Sequence, residues 1–316
     1  MNASDFSTVT DWPAGVLYDF EQWLAFNEPI PDSIQDYLKN IETDQNHCEL
    51  RALALDVLAF KQPDEKLAAM RILYRMGQNN RLALDAQLDW NKDPKLNQQC
   101  PGRPDKPELI AATQTLRRGM NSTEGRAIMV HALAHIEFNA INLALDAMVR
   151  FSGLSEDYYW DWWRVAAEEA YHFSLVRRHL RSLHAEYGDF PAHDNLWEMA
   201  ERTQHSFADR MAMVPRTMEA RGLDACPLMQ EKFRQAGDEQ AAQILDIILR
   251  DEIIHVALGN RWFVYACEQQ QLEPIYTYRL LTERYRAPRV RPPFNWLARR
   301  AAGFYEEELS AWQNEA

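Results

Sequence analysis

Two short motifs, Glu169-Ala-Tyr-His172 and Glu252-Ile-Ile-His255, constrain this chain more than any other feature. Residues three apart on an α-helix share one face with Cβ atoms about 5–6 Å apart, so a carboxylate and an imidazole so spaced can converge on one ion. One such pair means little among 25 glutamates and 9 histidines, where about one arises by chance. Each motif, however, follows another glutamate at nearly the same distance. Glu137 precedes Glu169 by 32 residues and Glu219 precedes Glu252 by 33. Glu137 and Glu169 lie at similar distances on either side of Gly153, so antiparallel helices joined there bring them level. The unit then repeats, and a fold that uses it needs four long helices.

Glu plus Glu-x-x-His, twice, is the donor set of di-iron and di-manganese carboxylate bundles, whose facing helices project these side chains inward. Glu137, Glu169, His172, Glu219, Glu252 and His255 are therefore the expected ligands of two metal ions. Four carboxylates and two imidazoles offer hard oxygen and borderline nitrogen donors. These suit iron first and manganese as the alternative, rather than a thiolate-loving ion. Without cations, four buried glutamates repel one another and lose their hydration, so a purely structural role for the set is costly. Glu219 is chosen by symmetry. Glu198, Glu201 and His205 lie on the same stretch, and Glu201 with His205 makes an i,i+4 pair. Glu201, however, stands 51 residues before Glu252 and breaks the repeat.

The rest of the chain supplies the helices. Hydrophobic residues make up 47% and glycines number only 11 in 316 residues, a balance that favours helix over sheet. The expected fold is all-α: a ferritin-like four-helix bundle with additional N-terminal helices and a C-terminal Pro/Arg-rich tail plus helix. Residues 1–45 read as an acidic, aromatic arm with one or two short helices, punctuated by Pro13, Pro29 and Pro31. Residues 46–120 are an N-terminal helical segment, with helical apolar spacing from Leu53 to Tyr74. It leads into the connector Pro101-Gly-Arg-Pro-Asp-Lys-Pro107, whose prolines forbid helix.

Residues 121–272 hold the four long helices. The first runs from an N-cap at Ser122 to Phe151 and stops at Gly153; the second runs from a Ser155 cap, with Glu156 and Asp157 in its first turn, to Gly188. The third runs from near Asp194 through a Pro215 kink to a left-handed stop at Gly222, and the fourth from Asp238 to Gln270. Residues 273–316 are a basic tail and a last helix. Its seven arginines (Arg279, Arg284, Arg286, Arg289, Arg291, Arg299 and Arg300) accompany Pro288, Pro292 and Pro293. They either grip an anionic substrate or partner, or pair with the protein's own carboxylates, which is the plainer reading.

From about Leu50 to Phe304 the chain resembles a ferritin-like family catalogued as domain of unknown function 455. The resemblance rests on Pro101-Gly-Arg-Pro104, His131-Ala-Leu-Ala-His-Ile-Glu137-Phe-Asn-Ala-Ile141 and Glu168-Glu-Ala-Tyr-His172. It continues in Val214-Pro-Arg-Thr-Met-Glu-Ala-Arg-Gly222, Asp251-Glu-Ile-Ile-His255-Val256 and Pro292-Pro-Phe-Asn295. It implies the ferritin-like fold and the di-metal site, with no agreed activity. The first 45 residues lie outside it, and the aromatic turn Tyr158 to Trp163 is this chain's own variation.

Other residues admit two readings. His131 and His135 sit one turn apart and about 120–160° around the helix from Glu137, so they do not reach the ions directly. They are hydrogen-bonded core histidines or, more sharply, supporting donors and a proton route. Asp251 and Glu168 either orient an imidazole from a neighbouring helix or form salt bridges. Tyr171 either bonds a ligand or packs in the core. Tyr158, Tyr159, Trp160, Trp162 and Trp163 either seal a bundle end or form an interface.

Composition narrows the function classes. A net charge of −13 argues against nonspecific nucleic-acid binding, which needs basic surface to displace counterions. No run approaches about 18 uninterrupted apolar residues, and the N-terminus has neither a basic flank nor an apolar core. Cys48, Cys100, Cys226 and Cys267 form no C-x-x-C pair. A cytoplasmic protein with reduced thiols and no membrane partner is expected. Three functions fit. The first is an oxygen-activating oxidoreductase, a hydroxylase or oxidase, with O2, an unknown small or anionic substrate and an external electron donor as partners. The others are an iron-binding ferroxidase and a metal-bearing structural or regulatory bundle. The first leads, because the extra helices suit a substrate-covering lid and a monomer or dimer rather than a storage cage.

Overall fold

The computed structural model describes residues 17–26, 29–43, 48–115 and 119–315. The first sixteen residues of the arm, with Pro13, lie outside the described residues. The chain is all-α. Its only extended pairings among the described residues are β1 (Cys48–Glu49) with β2 (Leu82–Ala83), in parallel, and an isolated bridge between Leu109 and Ala192. It divides into two compact units. The first comprises the described residues up to Ile110 with Thr115 and Ala127–Ala192; the second comprises Ala111–Gln114, 119–126 and His193 onward. Each therefore holds one upstream glutamate and one Glu-x-x-His motif.

The first unit contains α1 (Phe20–Ala25), α2 (Asp32–Thr43), α3 (Leu50–Ala59), α4 (Pro63–Gln78), α5 (Pro94–Gln99), most of α6 (Thr123–Arg150) and α7 (Glu156–Ser182). α6 begins where Ser122 Oγ accepts the Gly125 N–H at 3.0 Å, the expected cap. Ser155 makes no such bond at the start of α7. That turn relies instead on Glu156 and Asp157, whose charges oppose the positive end of the helix dipole.

α6 and α7 run antiparallel. Glu137 lies against His172, the Phe138 and Phe173 ring centroids are 5.4 Å apart, and the Tyr158 hydroxyl donates to Ala147 O at 2.9 Å. Gly153, at φ +76°, makes the turn in a conformation that a side chain would strain. The last carbonyls of α6 are met by buried Arg51, which donates to Met148 O and Val149 O, each at 3.0 Å. Tyr158, Tyr159, Trp162 and Trp163 are buried at this end, and Tyr159 donates to Phe151 O at 3.0 Å. They seal the hairpin. α6 is long and apolar enough to cross a membrane, but 83% of that stretch is buried. α7 ends at Ser182 rather than Gly188, because His184 already takes the left-handed position at φ +62°.

The second unit contains α8 (Asn195–Arg202), α9 (Phe207–Met213), α10 (Ala220–Gln235), α11 (Glu239–Gln269), α12 (Pro274–Arg284), α13 (Trp296–Ala301) and α14 (Glu306–Glu315). The expected third helix, Asp194 to Gly222, is not one helix. It breaks after α8 and restarts where Ser206 Oγ accepts the Asp209 N–H at 3.2 Å. It then opens into a π-helical turn, Val214–Glu219, and continues as α10 to Gln235.

Gly222 lies inside α10, and the left-handed stop falls at Gly237, φ +75°. Pro215 widens the helix rather than kinking it. The Ala220 N–H reaches back five residues to Pro215 O, and the Pro215 ring packs on Gly259 of α11. A Cβ at Gly259 would lie 2.4 Å from Pro215 Cβ. Asp238 then caps α11, accepting the Ala241 N–H at 3.1 Å. α10 and α11 are antiparallel, with Gln230 donating to Asp246 at 2.5 Å. Ala220, Leu223, Val256, Ala298, Ala302, Phe304 and Leu309 form a core cluster.

Much of the basic tail pairs internally. Arg299 is buried on Asp224 at 2.5 Å, Arg300 meets Glu306 at 2.6 Å and Arg284 meets Asp209 at 3.5 Å. Arg286, Arg289 and Arg291 are exposed.

Candidate metal centre

In the first unit, the antiparallel register of α6 and α7 gathers Glu137, Glu169 and His172. All three are buried, and one donor atom from each lies within 4.8 Å of the others. His172 Nδ1 stands 3.2 Å from Glu169 Oε2 and 3.5 Å from Glu137 Oε2. Glu137 Oε2 is buried without a hydrogen bond among the described residues. Burial pushes the Glu137 carboxyl up to about 7, and the Glu169 charge adds to the rise while His172 opposes it. Two carboxylates and an imidazole converging in a buried space are what a divalent cation compensates, and the donors are of the kind iron and manganese take. The residues fit a metal ion.

In the second unit, α11 carries Glu252 and His255, with His255 Nδ1 4.0 Å from Glu252 Oε1 and both side chains buried. Glu219 is the last residue of the π-helical turn and is half-buried. Its level follows from the packing of the two helices. Pro215 rests on Gly259, and a four-residue step toward the hairpin turn on each side reaches Glu219 and His255. Glu137 and His172 stand level in the same way. Glu219 joins no three-donor group within 4.8 Å among the described residues. Glu198, Glu201 and His205 are exposed, and Glu201 accepts the Trp197 indole N–H at 2.9 Å.

The profile of a family described as "Protein of unknown function (DUF455)" matches residues 59–310, a span holding both donor sets. The chain belongs to the DUF455 family. A Haemophilus influenzae relative, described as "Uncharacterized protein", is 47% identical over 213 residues, covering 65% of this chain and 74% of its own. No solved structure matches the chain.

Around the donors, this DUF455 chain ties down the residues flanking its motifs. His131 Nε2 accepts the Gly188 N–H at 2.9 Å, and burial lowers its pKa to about 4, so the ring is neutral. His135 bonds the Tyr187 hydroxyl through Nδ1 at 2.9 Å and Asn139 Nδ2 through Nε2 at 3.0 Å. Both histidines are thus bonded to residues 187 and 188 or to their own helix. Glu168 accepts from Arg164 at 2.8 Å and Asp251 from Arg250 at 2.7 Å, so each enters a salt bridge. The Tyr171 hydroxyl donates to Tyr18 O at 2.7 Å, and its ring lies among Tyr18, Phe20 and Trp23. The arm therefore covers the residue beside His172.

Sequence reasoning assigned no role to Tyr187, Arg216 or Asn260. Each acts through a partner distant in sequence. The one local hint was the unbroken stretch Val214 to Gly222 around a proline.

Proposed function

We propose that this protein is a ferritin-like di-metal oxidoreductase that activates O2 to hydroxylate or oxidise a small or anionic substrate. Iron is the metal proposed, with manganese as the alternative. The observation that carries the reading is the buried Glu137–Glu169–His172 cluster, whose donor atoms lie within 4.8 Å of one another. The same residue types recur on the second hairpin in the same register. Glu137, Glu169 and His172 would hold one ion, and Glu219, Glu252 and His255 the other. A pair of Fe(II) ions, when bound, supplies electrons for O2 activation. An external donor must restore those electrons.

The chain's own residues have simpler work. Buried carboxylates hold the ions and balance their charge, while Tyr171 and the aromatic residues of α1 exclude water from beside His172. The four cysteines are free thiols, in keeping with the reducing cytoplasm we assign to the protein. Exposed Arg286, Arg289 and Arg291 offer positive charge to an anionic substrate or donor.

The test is anaerobic Fe(II) loading followed by O2 exposure, read by optical and Mössbauer spectroscopy, with size-exclusion chromatography alongside. Rapid oxidation confined to two irons per chain, in a monomer or dimer, is expected. Continued iron uptake by a large cage-like particle contradicts the reading.

A further inference from the structure

We infer that Arg216 is a positioning residue for Glu219, locking the π-helical turn through the C-terminal helix α14. The inference rests on the reading of Glu219 as a ligand. A π-helical turn is rare and is found frequently at functional sites. It changes the bearing of each side chain around the helix, so Glu219 points where it does only while the turn stays open.

Three contacts hold it open within the second unit. Pro215 fills the space above Gly259, where no side chain fits. The Thr217 hydroxyl donates to Ala212 O, five residues back, at 2.7 Å and shares a 3.0 Å hydrogen bond with the Tyr278 hydroxyl of α12.

Arg216 supplies the third and most distant tie. It is only 1% exposed, and its guanidinium donates to Asn260 Oδ1 on α11 and Glu308 Oε1 on α14. The same group lies 4.5 Å from the Tyr278 ring centroid and 4.8 Å from that of Phe304. Asn260 in turn donates to Ala302 O at 2.6 Å. A buried, fork-shaped cation thus joins the turn to segments 44 and 92 residues away in sequence. A planar fork fixes direction as well as distance, which a lysine ammonium does not.

The experiment titrates the metal-free full chain with Mn(II), following free Mn(II) by electron paramagnetic resonance. The variants are Arg216→Lys, which keeps a charge pair with Glu308, and Glu308→Gln, which keeps a hydrogen-bond acceptor beside Arg216 but removes the counter-charge, with the milder Thr217→Val in case the first two fail to fold. Folding is checked by circular dichroism. A positioning role predicts that affinity for one of two Mn(II) ions falls about 10–100-fold while the other is unmoved. Wild-type affinity for both ions in a folded variant overturns the inference, and so does equal weakening of both. Glu219→Gln separates the underlying reading from this one. If that variant keeps both ions at wild-type affinity, Glu219 is no ligand and both ideas fall; if it loses one ion while Arg216→Lys loses none, only the positioning role fails.

Discussion

The two hairpins carry the same donor pattern on different backbones. In the first, α6 and α7 are unbroken α-helices, and Glu137, Glu169 and His172 are gathered and fully buried. In the second, α11 is regular, but Glu219 ends a π-helical turn and is half-buried, with the Glu252–His255 pair looser at 4.0 Å. The contrast teaches that one half is assembled by local helix geometry plus register. The other depends on contacts with the C-terminal segments that reshape its helix. In the first half, gathering the donors carries an electrostatic cost, as the raised Glu137 carboxyl shows.

The largest expected effect breaks the comparison outright. His172→Ala should abolish binding of one metal ion and His255→Ala the other, each leaving one ion per chain in a titration with Mn(II). Loss of both ions from either variant would merge the halves into a single cooperative site.

Next comes pH. Glu137 has a folded pKa of about 7, above its ordinary value of 4.5. Its contribution to stability is therefore full below 4.5 and is lost as pH rises through about 7, at a cost on the order of 3 kcal/mol in the metal-free chain. Chemical denaturation at pH 5 and pH 8 should reveal that slope. Glu137→Gln should flatten it, and saturating Mn(II), which binds the ionised carboxylate, should reverse it.

Gly259→Ala is a smaller and more local lesion. Its methyl group would meet Pro215, costing about 2 kcal/mol of stability by overpacking. It should weaken metal binding at the second half while sparing the first, as calorimetry and Mn(II) titration would reveal.

The smallest effect compares two caps. Ser122→Ala should destabilise by about 1 kcal/mol, because its side chain satisfies the Gly125 N–H. Ser155→Ala should cost under about 0.5 kcal/mol, since Ser155 makes no side-chain cap bond. Thermal melts of the two variants, side by side, decide it.

The same contrast explains what could be read from the sequence. α6 and α11 were legible to within a few residues, because Ser122 and Asp238 are local caps and the apolar spacing is continuous between them. The Glu-x-x-His motifs were legible because three-residue spacing is a property of any helix. The turn at 214–219 was not. Pro215 looks like a kink and Gly222 like a stop, and the contacts that stabilise the widened turn come from Gly259, Asn260, Tyr278 and Glu308, 44 to 92 residues beyond the residues they meet. His131 and His135 could be placed away from the donors by their bearing on the helix, but Tyr187 as their shared partner could not. The hydrogen bond from Tyr171 to Tyr18 was hidden for the same reason, since it spans 153 residues.

The central claim is that two hairpins each bring Glu, Glu and His to a metal ion. Elemental analysis of the anaerobically purified full chain tests it most directly, with Glu169→Ala and His255→Ala in parallel. Two iron or manganese ions per chain, falling in both variants, is the predicted result. Fewer than one metal per chain, unchanged by either substitution, would contradict it.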